Sequence, residues 1–539
     1  MLTWLLVSAT LMIMPAAEWE EELRVLPPNT DGVKPSKMMQ AYLVRRSEEA
    51  LDRRDEAYEL LKTPEELAAH KQRMRAFFLD QLGGLPERTP LNAHVTGEDE
   101  FDGFRVERVV YESLPGYFVT AHCYVPAGGA YRPPYPGVVV LCGHQHPGVG
   151  KETYFDQCAL LVRNGFVVLC IDCIGQGERH QVLTAHGGPR FHSSLEHMHT
   201  GVASILVGRN VALYFVWDAM RAVDYLQARK DVDSDRIGCL GGSGGGTQTA
   251  YLMALDDRIK CASPRNYMTS LRRLVETMGP QDAEQNIHAQ IAHGMGHGDF
   301  ILMAMPCAIL MAIGTRDSFD VHGAWDTFRE AKRAYARLGM AERVDLFEAD
   351  AGHGARHDMN AAIVRWFRRW LHGIDDGHVA ALDEPVECHD PMHCTDKGQV
   401  VLIEGARTTF DLNIAVEERL AEERRRYWSD TPKEESLGHV RAVTGIRPLA
   451  ELAVPEPRVA GVVQRERYRI EKLIIEPECG IGVPGLLFVP DEVSGNPVLY
   501  IHGDGKHADA QPGGRIEQLV TQGHRVLAVD LRGLGETQR

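Results

Sequence analysis

Ile237-Gly238-Cys239-Leu240-Gly241-Gly242-Ser243-Gly244-Gly245 decides the fold of this chain. A short apolar run leads into Gly-x-Ser-x-Gly, and a helix-like segment from Thr247 to Leu255 follows. A strand that turns this sharply into a helix forces its turn residue into a strained backbone conformation. Small neighbours are needed, because a Cβ would collide with the adjoining strand and helix. The product is a serine hydroxyl held clear of a sheet, at the positive end of a helix. Glycines alone do not make such a site, so the motif has weight only if its partners follow.

They follow in the order Ser, Asp, His. Pro306 to Ile313 reads as a buried strand that runs into Gly314-Thr315-Arg316-Asp317. Arg343 to Ala349 reads as the next strand, followed by Asp350-Ala351-Gly352-His353-Gly354 and an aromatic-rich helix from about 361 to 371. Loops after successive parallel strands meet at one edge of a sheet, so Ser243, Asp317 and His353 are expected to converge. His353 would take the serine proton, and Asp317 would hold the imidazole in the useful tautomer. Asp320 is a rival for the acid and His357 lies close to the base.

Gly137-Val138-Val139-Val140-Leu141 reads as a β-branched strand, and Cys142-Gly143-His144-Gln145-His146 follows it. The amide of Gly244 is one expected oxyanion donor, and that of His144 or Gln145 is the other. The strand Phe166–Ile171 ends in the Gly-rich turn Asp172-Cys173-Ile174-Gly175-Gln176-Gly177-Glu178-Arg179. It lacks the Gly-x-Gly-x-x-Gly spacing, which argues against a dinucleotide site.

With these residues in view, the chain resembles the α/β-hydrolases, in their acetylxylan-esterase-like and dienelactone-hydrolase-like branch, over roughly residues 35–375. Gly83-Gly84-Leu85-Pro86-Glu87, Trp217 to Leu226 and Asp282-Ala283-Glu284-Gln285-Asn286 are further family-like pieces. The aromatic pair often found after the family's acid is here Ser318-Phe319. The resemblance implies an α/β class fold built on a mostly parallel, doubly wound sheet. It also implies a serine esterase, with acetyl groups on plant-wall polysaccharide as the substrate. A prolyl-oligopeptidase-type peptidase and a non-catalytic hydrolase-fold binding protein are the alternatives. No long β-propeller sequence is present to favour the peptidase.

The 539 residues exceed one domain, and 44% hydrophobic with 25% charged residues is ordinary for a globular protein. A net charge of -17 argues against nucleic acid or anionic membranes as partners. A small-molecule or carbohydrate ester is the expected partner. Neither a cofactor nor a metal is expected. Cys388-His389-Asp390-Pro391-Met392-His393-Cys394 fits no standard zinc spacing. The eleven cysteines include several in strands, such as Cys123, Cys170, Cys239 and Cys307, and read as mostly unpaired structural thiols.

Residues 1–17 read as a signal peptide, with an apolar run from Leu2 to Met14 and no Lys or Arg before it. That run is too short to span a bilayer. A secreted or periplasmic protein follows from it. Residues 18–95 read as a helical N-terminal extension, 96–375 as the catalytic domain, 376–460 as a connecting region and 461–539 as an incomplete second hydrolase-like repeat. Within the catalytic domain, residues 180–212 interrupt the alternation of strand and helix and are expected to form a lid or pocket wall. The repeat is carried by three echoes. Tyr468 to Ile475 matches Phe104 to Tyr111, Val498 to Gly503 matches Val139 to Gly143, and Asp530 to Glu536 matches Asp172 to Glu178. No serine elbow follows in the second copy, which reads as a truncated tandem unit or a degenerate docking module.

Overall fold

The computed structural model describes residues 20–29, 32–129, 131–144, 150–380 and 392–538. The expected signal peptide, Gln145 and the Cys388-His389 pair lie outside them. The chain divides into two units: residues 47–430, and residues up to Arg46 together with 431 onward.

The larger unit is built on nine strands: β1 (His94–Phe101), β2 (Phe104–Leu114), β3 (Tyr117–Pro126), β4 (Tyr135–Leu141), β5 (Val167–Ile171), β6 (Val232–Gly242), β7 (Ile259–Arg265), β8 (Ala308–Arg316) and β9 (Val344–Gly352). Their order is β1-β2-β3-β5-β4-β6-β7-β8-β9. The first three pair antiparallel, β3 pairs antiparallel with β5, and from β5 to β9 the pairing is parallel. This is the doubly wound arrangement expected. The winding reverses between β4 and β6, the crevice where ligands sit in such sheets.

The strands β4 and β5 are buried at every position because both faces of the sheet are covered. In β4, Val139 and Leu141 join one core while Val138 and Val140 join the other. β5 repeats the alternation, with Val167, Leu169 and Ile171 on one side and Val168 and Cys170 on the other. The helix Ala212–Ala228, which carries the Trp217–Leu226 piece, is buried along most of its length. The described cysteines are all free, nine of them buried and Cys479 exposed. Among the described residues no helix is long and apolar enough to cross a membrane.

The smaller unit holds β10 (Arg458–Gln464), β11 (Tyr468–Glu478), β12 (Ile481–Pro490), β13 (Val498–Tyr500) and β14 (Val526–Val529), in the order β10-β11-β12-β14-β13. That is the order of the first five strands of the larger sheet. Even the irregularity matches, Val95/Gly97 in one and Val459/Gly461 in the other.

A buried ionic lock repeats as well. In the larger unit the Lys151 backbone amide donates to Asp172 Oδ1 at 2.9 Å, and its Nζ reaches Asp172 Oδ2 at 2.7 Å and Glu178 Oε1 at 3.0 Å. In the smaller unit Lys506 makes the same three bonds, to Asp530 through its amide and Nζ and to Glu536 through Nζ. Gly177 and Gly535 both take φ +53°, and a Cβ on either would strike the aspartate carboxylate. Each glutamate then accepts two successive amides from a distant segment of its own unit. Glu178 takes those of Cys394 and Thr395, and Glu536 those of Val25 and Leu26.

This arrangement divides the N-terminal extension differently from the sequence reading. Leu23 and Val25 belong to the core of the smaller unit, while the helix Pro64–Leu82 packs into the core of the larger one. The connecting region is divided too, since the helix Thr409–Asp430 belongs to the larger unit. Apolar residues at helical spacing show that a segment packs, not against what.

Two buried histidines, His122 and His297, and the half-buried His372 set an acid limit on the larger unit. Burial pulls His297 and His372 down to about 4 and His122 down to about 3. Unfolded, each would titrate near 6.5. As pH falls below that value the unfolded chain takes up protons that the folded one refuses, so the stability these groups contribute is lost between about 6.5 and 4. For His297 the loss is on the order of 3 kcal/mol. The melting temperature should therefore drop steeply over this interval, and His297→Gln should flatten part of the drop. A melting temperature constant from pH 6.5 to 4 would contradict this.

Candidate active site

Ser243 stands between β6 and the helix Gly244–Leu255 with φ 58° and ψ -123°. Only four described non-glycine residues have positive φ, and Asn266, at the end of neighbouring β7, is another. Strain of this kind persists where the surroundings over-determine it. The Ser243 amide donates to the Arg265 carbonyl at 3.0 Å, and that of Asn266 to the Ala312 carbonyl at 2.8 Å. The glycines are structural necessities here. A Cβ on Gly245 would stand 2.0 Å from the Leu141 carbonyl oxygen, and one on Gly241 2.5 Å from the same atom.

Asp317 follows β8 directly, and His353 follows β9. His353 Nδ1 lies 2.8 Å from Asp317 Oδ1. The Asp317 carboxylate also accepts the Phe319 amide at 3.0 Å and the Asn266 side-chain amide. Burial works to raise its pKa, but the bonds from His353 and the Phe319 amide outweigh burial and hold it below the usual carboxylate range. An ionised Asp317 keeps the proton on Nδ1 and leaves Nε2 free to act as a base.

The rival acid is occupied elsewhere. Asp320 caps the helix Val321–Arg337 through the Gly323 amide at 2.9 Å and pairs with Arg273 at 3.0 Å. His357 begins the helix His357–Phe367 and lies on the cavity wall.

A cavity of about 520 Å³ opens at this sheet edge, and Ser243, His353, His144, Tyr154, Arg265 and Asn266 are on its wall. None of its lining comes from residues 180–212. The expected pocket wall instead contributes a helix, Ser193–Ile205, whose His197 reaches under the site. Gly143 and His144 follow β4 as expected, with the Gly143 amide donating to the Tyr154 hydroxyl at 2.6 Å. The His144 ring packs against Gly244, about 3.0 Å from where its Cβ would stand. These contacts bring two of the three expected oxyanion-hole residues, His144 and Gly244, together. Gln145 lies outside the described residues.

His144 is held by a buried network that the sequence did not reveal. Its Nε2 lies 2.7 Å from Glu284 Oε1 and its Nδ1 3.3 Å from Asp282 Oδ2. Glu284 Oε2 lies 3.2 Å from His197 Nδ1, and His197 Nε2 donates to the Ile174 carbonyl at 2.7 Å. His197 thus has a carbonyl bonded at one ring nitrogen and a carboxylate close to the other. Burial opposes its charge, but Glu284 raises its pKa, and the two histidines together hold the Glu284 carboxyl well below its ordinary range despite burial. His144, His197 and Glu284 offer ligand atoms within 4.8 Å of one another and could hold a metal ion. This grouping lies far in sequence from the Cys388–Cys394 stretch. The signal was present in the family-like piece Asp282–Asn286, but not its partner.

Residues 65–293 match the family model described as acetyl xylan esterase (AXE1). A relative in Bacillus subtilis (strain 168), named "Putative hydrolase YtaP", is 25% identical over 309 residues, 54% of this chain and 96% of its own length. Among solved structures, Methylesterase BT1017 superposes with a TM-score of 0.54 at 20% identity, over 70% of this chain and 80% of its own. That likeness is one of fold. The chain has the α/β-hydrolase fold, and its residues 65–293 match the acetyl xylan esterase family model.

Proposed function

We propose that this chain is a serine carboxylester hydrolase that works through an acyl-enzyme and removes acetyl groups from carbohydrate esters of the xylan type. One observation carries the reading: a strained serine shares a cavity with a histidine whose Nδ1 is held by a buried carboxylate. In this mechanism His353 accepts the proton as Ser243 Oγ attacks the ester carbonyl. The amides of Gly244 and of His144 or Gln145 take the developing oxyanion. Each such donor is typically worth about 10²–10³ in rate. His353 then protonates the leaving alcohol, and water attacks the acyl-enzyme with His353 again as base. The acetyl and carbohydrate parts of the reading rest on the family match. Export from the cell rests on the apolar N-terminal run.

The smaller unit is read as an accessory module. Its His502-Gly503-Asp504-Gly505 loop follows β13 as Gly143 and His144 follow β4, and His502 Nδ1 lies 3.6 Å from the exposed Asp504 carboxylate, with no serine elbow beside them among the described residues.

The test is covalent labelling by a fluorophosphonate, followed by a panel of acetyl esters, methyl esters and peptides. Labelling at Ser243 with turnover of acetylated xylo-oligosaccharides is the expected result. Labelling with peptide turnover alone would replace the esterase by a peptidase, and absence of labelling would favour a binding protein.

A further inference from the structure

Five arginines are buried among the described residues: Arg54, Arg179, Arg221, Arg265 and Arg368. Four have a carboxylate within ion-pair distance: Asp299 and Glu330 for Arg54, Asp218 for Arg179, Asp224 for Arg221 and Asp376 for Arg368. Arg265 has none among the described residues. Its Nη1 donates to two neutral oxygens, Asn360 Oδ1 at 2.9 Å and Gln157 Oε1 at 3.3 Å. Its Nε is buried with no partner. Asp156 is on the same cavity wall but makes no ion pair with it, and Arg356 adds a second cation there.

A buried charge without a counter-ion costs several kcal/mol unless something supplies the opposite charge. Burial accordingly pulls the Arg265 pKa below its ordinary value. The group is also accommodated at some cost in sequence freedom. It lies against Gly242, where a Cβ would stand 2.7 Å from Nη2. Its own carbonyl takes the amide of Ser243, so the cation sits beside the nucleophile. A planar guanidinium suits a carboxylate better than any neutral hydroxyl.

We propose that Arg265 is a subsite for a carboxylate carried by the substrate, so that the esters served by Ser243 are borne on acidic sugars. This rests on the esterase reading for its second half only; anion binding does not require turnover.

Two measurements separate the halves. Glucuronate and glucose are titrated into the Ser243→Ala protein by calorimetry or NMR. Glucuronate should bind tighter by about ten- to a hundredfold, the range of a charged hydrogen-bonded pair. That ratio should approach one in Ser243→Ala/Arg265→Gln and be partly kept in Ser243→Ala/Arg265→Lys. In the active protein, kcat/KM for acetylated glucuronate over acetylated glucose should show a preference of the same order, which Arg265→Gln removes. Melting curves accompany each variant. Should Arg265→Gln not fold, the wild-type preference and the lysine variant still decide. Equal binding of the two sugars, or a preference unchanged by Arg265→Gln, would overturn the proposal. A binding preference with no acetyl-ester turnover in the active protein would uphold the subsite and overturn the esterase reading.

Discussion

Ser243→Ala is expected to remove ester hydrolysis almost entirely while the protein stays folded. The position is half-buried, so the lost oxygen leaves a small void at the cavity wall and not in the core. The new side chain keeps the Cβ, so the backbone strain at φ 58° is unchanged. In the proposed mechanism Ser243 and His353 act as one unit, so losing either should remove the covalent route. What remains is binding and the oxyanion donors, typically about 10³–10⁴ over the uncatalysed rate. The check is kcat on an acetyl ester together with a melting curve. A variant that turns over normally would mean that another group attacks the ester.

Asp317→Asn should lower kcat by about 10⁴ with little change in fold. The carboxylate accepts bonds from His353, the Phe319 amide and Asn266. An asparagine can keep some of them, but its amide would donate toward His353 Nδ1. The imidazole would then carry its proton on Nε2, facing the serine, where it cannot act as a base. Asp320→Ala provides the contrast. It removes a helix cap and a half-exposed ion pair, so it should cost about 1 kcal/mol of stability and leave kcat within about threefold. The opposite pattern, a harmless Asp317→Asn and a damaging Asp320→Ala, would exchange the two roles.

Much of this site was legible because its residues sit at strand ends. Asp317 follows an apolar run and His353 a strand that alternates apolar and acidic residues, and parallel pairing converts those positions into proximity. Ser243 is legible because glycine on both sides has a single steric reason. Arg265 was not legible. Ser263-Pro264-Arg265 reads as an ordinary strand end, and only the structure reveals that among the described residues no carboxylate pairs with its side chain. Glu284 was singled out with its neighbours, but a bridge from it to His144 and His197 spans three separate segments. The allocation of Leu23 and Val25 was hidden for a similar reason. Their partners, Tyr468 and Phe488 among them, lie over 400 residues away.

The paired lysine locks give the chain an internal duplicate, as a repeated titration has. Lys151 and Lys506 hold equivalent loops by the same bonds. Two stretches that differ in most other residues and still keep one set of bonds mark that set as what shapes a strand-loop-strand unit of this kind. His144 and His502 stand at matching places in their own units, but their partners differ: Asp282 and Glu284 for His144, Asp504 for His502. The bonds held in common thus mark scaffold, and the contacts that differ mark the residues to interrogate, inside one polypeptide and without reference to any other protein.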